Sequence, residues 1–193
     1  MNAARRKGVH WVPATAKYWG NLEELFGSRG ACGGCWCMAW RKRAKDFNAG
    51  KGETNRRALR ALTSAEVPPG ILLYKDDEVV GWCSVAPREE FVRLQDSKVW
   101  APVDDKAVWS VSCFFVRKGH RNEGLSVELL KAAVEFAREH GAKIIEGYPN
   151  EIKGKLPDAF VWTGLMGSYK KAGFKEVARR SEAKPIVRKK IQG

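Results

Sequence analysis

Six residues, Arg121-Asn122-Glu123-Gly124-Leu125-Ser126, stand where a β-prone run hands over to an amphipathic helix. At the start of a helix several backbone N–H groups lack intrahelical acceptors, and the helix dipole adds positive potential, so the spot is suited to an anion. Gly124 lets the backbone approach a ligand closely, Ser126 is small enough to do the same, and Arg117, Lys118 and Arg121 add charge. A pyrophosphate is the anion this pattern would take. The plainer alternative is a basic connection with an ordinary helix start.

A second group is Cys32, Cys35 and Cys37, inside Ala31-Cys-Gly-Gly-Cys-Trp-Cys-Met38. Cys-x-x-Cys-x-Cys invites zinc, an iron–sulfur cluster or a redox pair, but the stretch lacks a local fourth ligand. Cys83, Cys113, His10 or His120 would have to supply it through folding. Buried thiols in a glycine-rich turn are the simpler reading, and no metal is assigned. A middle reading has this segment and Trp40 lining a substrate pocket.

The elements that position these residues can be read from periodicity. Val108 to Val116 is a long β-prone run, expected as a central strand. Leu125, Leu129, Leu130, Ala133, Phe136 and Ala137 then build one face of a helix ending near Gly141. Ile144-Ile145 reads as a buried strand, so the unit is strand, helix, strand with a right-handed crossover and parallel strands. Upstream, Val9 to Val12 reads as a strand and Ala16 to Phe26 as a short helix, with a second helix from Thr54, its N-cap, to Ala65. Ile71 to Tyr74 and Val79 to Val85 form a hairpin about Asp76-Asp77. A helix over Thr163 to Ala172 and strands over Phe174 to Ala178 and Pro185 to Ile191 close the chain. Loop signals fall at Gly27 to Gly34, Asn48 to Gly52, Pro68 to Gly70 and Pro149 to Pro157.

Composition bounds the reading. The chain has 193 residues, 44% hydrophobic and 30% charged, the make-up of one globular domain spanning 1–193. No apolar run approaches the roughly 20 residues of a membrane helix. Arg5, Arg6 and Lys7 are followed by no signal-peptide core, so a cytoplasmic location with reduced thiols is expected. The net charge of +13 suggests a polyanionic partner without choosing one, or simply a solvated basic surface. Eight tryptophans among basic residues keep a nucleic-acid-binding module open as the competing class.

Val116 through Ser126, with its Arg121-x-x-Gly124-x-Ser126, resembles the acetyl-CoA-binding motif of GNAT N-acetyltransferases, in which Gly or Ala more often fills the last position. Ser168 to Val177, with Tyr169 followed by Gly173-Phe174, resembles the same family's late helix and strand. The likeness is firm over Val108 to Val177, reaches loosely to the hairpin, and holds only in outline for residues 1–65. It implies an α/β fold with a mixed, partly splayed central β-sheet flanked by helices on both faces, and a cofactor-binding core over residues 108–147. It implies acetyl-CoA as cosubstrate, pyrophosphate on Arg121, Asn122, Glu123, Gly124, Leu125 and Ser126, and pantetheine paired with the backbone of Phe114, Phe115 and Val116 as an added strand. Tyr169 would be the general acid at the CoA sulfur. No glutamate lies in Val108 to Val116; Glu146, at the end of the next strand, is the candidate base, an ion pair with a nearby Arg or Lys being its alternative fate. The activity implied is direct attack by a primary amine, of a small molecule or a protein, on acetyl-CoA. A GNAT-like acyl-CoA binder without catalysis is an alternative. Membrane association is not expected, nucleic acid is the weaker partner class, and a homodimer is left open. The loop Phe91 to Asp105, with Trp100, is expected over the acceptor cleft.

Overall fold

The computed structural model describes residues 8–151 and 162–192. Arg5 to Lys7, and the loop signal at Pro149 to Pro157 from residue 152 onward, lie outside the described residues. The strands are β1 (Val9–Pro13), β2 (Gly70–Lys75), β3 (Glu78–Pro87), β4 (Trp109–Val116), β5 (Ile144–Gly147), β6 (Lys175–Arg179) and β7 (Pro185–Lys190). The helices are α1 (Trp19–Phe26), α2 (Ala44–Ala49), α3 (Glu53–Leu62), α4 (Val92–Gln95), α5 (Leu125–Glu139) and α6 (Met166–Lys171).

All seven strands join one mixed sheet in the order β1-β2-β3-β4-β5-β7-β6. Among the described strands the one parallel pair is β4 with β5, joined through α5 as the strand-helix-strand reading required. The expected hairpin is β2–β3, closing at Asp76 and Asp77 with Asp76 at φ 54°. The closing helix is shorter than expected, Met166–Lys171. The second early helix runs Glu53–Leu62, so Gly52 and not Thr54 stands at its N-cap. Helix α2 was not anticipated, because Ala44 to Ala49 is too short to show an apolar stripe.

Each sheet face buries its own layer. Leu125, Leu129, Leu130 and Phe136 of α5 pack with Leu73, Val85, Val111 and Phe114 on one face. Leu22, Leu25 and Phe26 of α1 pack with Leu72, Trp82 and Cys113 on the other. Helices therefore cover both faces, and alternation along β4 sends Phe114 and Cys113 to opposite layers.

The sheet opens at its middle. Pairing of β4 with β5 ends at Val111 with Gly147. At that level the β3–β4 register slips between Ser84 and Val85, leaving Ser112 as the extra residue of a bulge. A bulge bends its strand, and β4 runs on to Val116 while β5 turns away.

Candidate active site

The opening between β4 and β5 is filled by Trp162 to Leu165. The Phe114 N–H donates to the Trp162 carbonyl at 2.6 Å, and on the far side the Asn150 N–H donates to the Gly164 carbonyl at 2.8 Å. Gly164 takes φ 85°, and a Cβ there would stand 3.0 Å from the rings of both Phe114 and Tyr169, so only glycine fits. Of the three residues expected to pair with pantetheine, Phe114 thus already donates its N–H to the chain itself. Val116 offers its carbonyl to Arg121 Nε at 3.2 Å, and Phe115 sits opposite Trp82 of β3.

The loop before α5 has the anticipated geometry. Gly124 caps the helix in the left-handed region, φ 76°, and a Cβ built on it meets nothing within 4 Å, so its backbone faces open space. Asn122 is also left-handed, φ 66°. The Val127 N–H turns back to the Gly124 carbonyl at 3.0 Å, and the first amides of α5 have no acceptor one turn earlier in the helix. Ser126 Oγ lies 2.9 Å from Ser168 Oγ of α6, a contact the sequence did not suggest. Glu123 binds Lys75 at 2.8 Å, turning its carboxylate away from an anion. Arg117 spends its charge on Glu24 at 2.7 Å and Glu78 at 3.1 Å, so it does not serve the loop as expected.

Strand edge and helix start open onto one cavity of about 970 Å³. Its lining includes Phe114, Phe115, Val116, Arg121, Asn122, Gly124, Leu125, Ser126, Trp162, Ser168 and Lys171. Cys32, Cys35, Cys37 and Cys113 line it too. A cavity of this size is in the range that holds a cofactor. A larger groove, about 1500 Å³, runs between α5 and the strands β1 and β7 and is lined by none of the expected site residues.

Tyr169 is fully buried beneath the inserted segment. Its hydroxyl donates to the Thr163 carbonyl at 3.2 Å, and its ring lies against Phe114 edge to face and over Gly147. Burial pushes its pKa well above the ordinary value. The hydroxyl is thus a protonated donor held by the inserted segment, and Tyr169, packed beneath that segment, is not among the residues lining the cavity.

Glu146 is placed differently from a free base. Its side chain is fully buried; Oε1 accepts from Arg88 Nη1 at 3.0 Å and from the Tyr148 hydroxyl at 2.6 Å, and Oε2 accepts from Arg188 Nε at 2.6 Å. Ser110 reaches the same Tyr148 hydroxyl at 2.8 Å. Both carboxylate oxygens are engaged by two guanidinium groups, and Glu146 does not line the cavity. The ion-pair alternative is what the geometry favours. Burial, and then the Glu146 charge, push the Tyr148 pKa well up.

Phe91, Leu94 and Trp100 pack with Trp40 and Tyr148 into a third apolar cluster. The Phe91 to Asp105 segment is therefore bound into the domain beside the Glu146 network, held further by Arg88 Nη2 to the Leu94 carbonyl at 3.2 Å. Among the described residues, no group of three or more His, Cys, Asp and Glu is arranged to hold a metal, and no helix is long and apolar enough to cross a membrane.

The sequence model of the acetyltransferase (GNAT) family matches residues 36–151. The chain belongs to the GNAT acetyltransferase family. Solved GNAT structures share its fold. An acetyltransferase of the family from Listeria monocytogenes is 12% identical, with a TM-score of 0.57 and 98% of this chain and 99% of that chain covered. YncA of Salmonella typhimurium, solved with its cofactor acetyl-CoA, is 14% identical, with a TM-score of 0.51 and coverages of 96% and 95%. PaiA N-acetyltransferase from Thermoplasma acidophilum, in complex with coenzyme A, is 11% identical, with a TM-score of 0.53 and coverages of 94% and 98%. No curated protein matches the chain. As a GNAT acetyltransferase the chain takes acetyl-CoA as its cosubstrate, and the splayed sheet and glycine-started α5 are the features that suit it. Sequence reasoning missed Trp162, Ser168 and Lys171 as cavity residues; Ser168 and Lys171 lie in the Ser168 to Val177 match, where only Tyr169 was given a role, and Trp162 lies outside any motif.

Proposed function

We propose that this GNAT protein transfers the acetyl group of acetyl-CoA to a primary amine. The observation that carries the reading is the single cavity shared by the β4 edge at Phe114 to Val116 and the α5 start at Arg121 to Ser126. An extended pantetheine needs the first, as an added strand, and a pyrophosphate needs the second. For the pantetheine to pair with β4, the Trp162 carbonyl has to give up the Phe114 N–H. That amide then faces the thioester carbonyl, where a donor aimed at developing negative charge lowers the barrier.

Tyr169 is the acid of this reading. Its raised pKa keeps it protonated at neutral pH, and its hydroxyl is released when Thr163 moves with the inserted segment. Glu146 holds Arg88, Tyr148 and Arg188 in place and is not assigned the base role. The amine enters from the layer containing Cys113 and Phe115, opposite α5.

The test is acceptor-dependent release of the CoA thiol at saturating acetyl-CoA, over a panel of small amines, polyamines and peptides, with the acetylated product identified by mass spectrometry. At least one amine is expected to support turnover that Tyr169→Phe slows by about 100-fold. Thiol release that no amine accelerates, from protein that binds acetyl-CoA, would leave a non-catalytic binder.

A further inference from the structure

Every charged side chain lining the acetyl-CoA cavity is basic. Lys51, Arg93, Arg121 and Lys171 face it with His120, and among the described residues no Asp or Glu does. His120 and Arg121 belong to the loop before α5, and Lys171 shares α6 with Ser168, which meets Ser126 at that helix start. The pyrophosphate accounts for these three. It does not account for Arg93.

Arg93 comes from α4 and lies at the other end of the β4 edge, beside the place of the acetyl group. Its Nη1 donates to the Ala39 carbonyl at 2.9 Å, and its backbone N–H donates to the Trp40 carbonyl at 3.1 Å. The Trp40 ring packs 5.5 Å from that of Trp162, the residue whose carbonyl holds the Phe114 N–H. Two positions before Ala39, Cys37 Sγ is 3.5 Å from Cys113 Sγ, next to Phe114 on β4. Both routes from Arg93 end at the amide that faces the thioester carbonyl.

The guanidinium is oriented before any ligand arrives. It lies over the Trp40 indole, 5.2 Å from the ring centre, and the Ala39 carbonyl fixes one of its N–H groups. Arg41 and Arg88, from the flanking segments, are each paired with a carboxylate, Glu90 at 2.8 Å and Glu146 at 3.0 Å. Arg93 has no such partner among the described residues, and it is the one of the three that lines the cavity. The rest of its fork is left for a ligand.

We propose that the acceptor is an amine carrying an oxyanion, a carboxylate or a phosphate, and that Arg93 binds that group while the amine faces the thioester. The inference rests on acetyl transfer to an amine as read above and names the class of acceptor. The planar fork matches two oxygens of such a group, and charge-assisted pairs of this kind are about twice as strong as neutral ones. A cationic acceptor such as a polyamine meets like charge from Arg93 and Lys51, with no carboxylate in the lining to offset it. The same charges favour the free amine over its ammonium form. The attacking nitrogen therefore gives its proton to water without a carboxylate at its side.

Matched acceptors separate the oxyanion from the amine. Initial rates of CoA thiol release at saturating acetyl-CoA are measured with amino acids against their primary amides, with O-phosphoethanolamine against ethanolamine, and with spermidine. Wild type, Arg93→Ala and Arg93→Lys are compared, and calorimetry gives acetyl-CoA binding for each. In wild type, kcat/KM is expected to be at least about 10-fold higher for the oxyanion-bearing member of a pair, chiefly through KM, and the pair that shows it tells carboxylate from phosphate. In Arg93→Ala that ratio is expected to fall toward one with acetyl-CoA affinity retained, and Arg93→Lys is expected to restore only part of it. Because the variants meet the same amines, intrinsic nucleophilicity cancels from the change in ratio. An Arg93→Ala protein that slows both members alike and keeps the ratio would overturn the assignment to Arg93. Preference for spermidine or for the members without an oxyanion would overturn this class of acceptor and leave amine acetylation standing. No turnover with any of these amines, from protein that binds acetyl-CoA, would overturn amine transfer and this inference together.

Discussion

The Phe114 N–H donates to the Trp162 carbonyl at 2.6 Å, so a backbone group from the segment before α6 completes β4 where β5 has turned away. An unpaired strand edge in an otherwise buried position is costly, since each orphaned polar group loses about 1–3 kcal/mol. Trp162 to Leu165 relieves this in the absence of a ligand, and a pantetheine making the same bond has to displace it. Amide hydrogen exchange reads the competition. Saturating acetyl-CoA is expected to speed exchange at Asn150 and Met166, whose N–H groups donate to Gly164 and Asn150, while Phe114 stays protected. Unchanged exchange at both would contradict pairing of the ligand with β4.

Tyr169→Phe separates chemistry from packing. The hydroxyl donates to the Thr163 carbonyl, so its loss is expected to lower stability by only about 1 kcal/mol. A kcat drop of about 100-fold beside that small change is the signature of the acid role. Equal losses in stability and rate would mark Tyr169 as a packing residue.

Glu146→Gln has the opposite expectation. It strands Arg88 and Arg188 around a neutral amide, and breaking such a buried pair costs about 3–5 kcal/mol. Denaturant unfolding checks this directly. A variant of wild-type stability that has lost only turnover would restore Glu146 as the base.

The neighbouring Cys37 thiol, opposed by burial, lowers the Cys35 pKa to about 6. The iodoacetamide alkylation rate of Cys35 is expected to rise with a midpoint near pH 6, and Cys37→Ala, which removes that thiol, should move the midpoint up toward the ordinary value of 9.0. The sign for stability is the same as for a depressed carboxylate. The folded pKa lies below the unfolded one, so the stabilising increment is complete above about pH 9 and lost as pH falls through about 6. A wild-type midpoint at 8 or above would contradict that influence of Cys37.

How much of this was legible in the sequence depended on how local the signal was. The strand from Val108, α5 with its glycine start and the β2–β3 hairpin all follow from periodicity and turn residues within one window, and each formed close to its expected bounds. The opening of the sheet was expected only through the resemblance, because nothing local marks Val111 and Gly147 as the last parallel pair. Insertion of β7 between β5 and β6 is equally non-local. Glu146 looked like an open carboxylate because its partners lie 58 positions before it and 42 after it. The cysteines drew attention by spacing, yet their meeting with Cys113, 76 positions from Cys37, appears only in three dimensions.

The account stands on acetyl-CoA lying between the β4 edge and the α5 start, and calorimetric titration of wild type and Gly124→Glu tests it most directly. The Gly124 backbone faces open space at the helix start, where a glutamate would place negative charge against the pyrophosphate. Saturable wild-type binding, weakened at least about 100-fold or about 2.7 kcal/mol in a variant that still unfolds cooperatively, is the predicted result. No acetyl-CoA binding by wild type, or equal affinity in a folded Gly124→Glu, would contradict it.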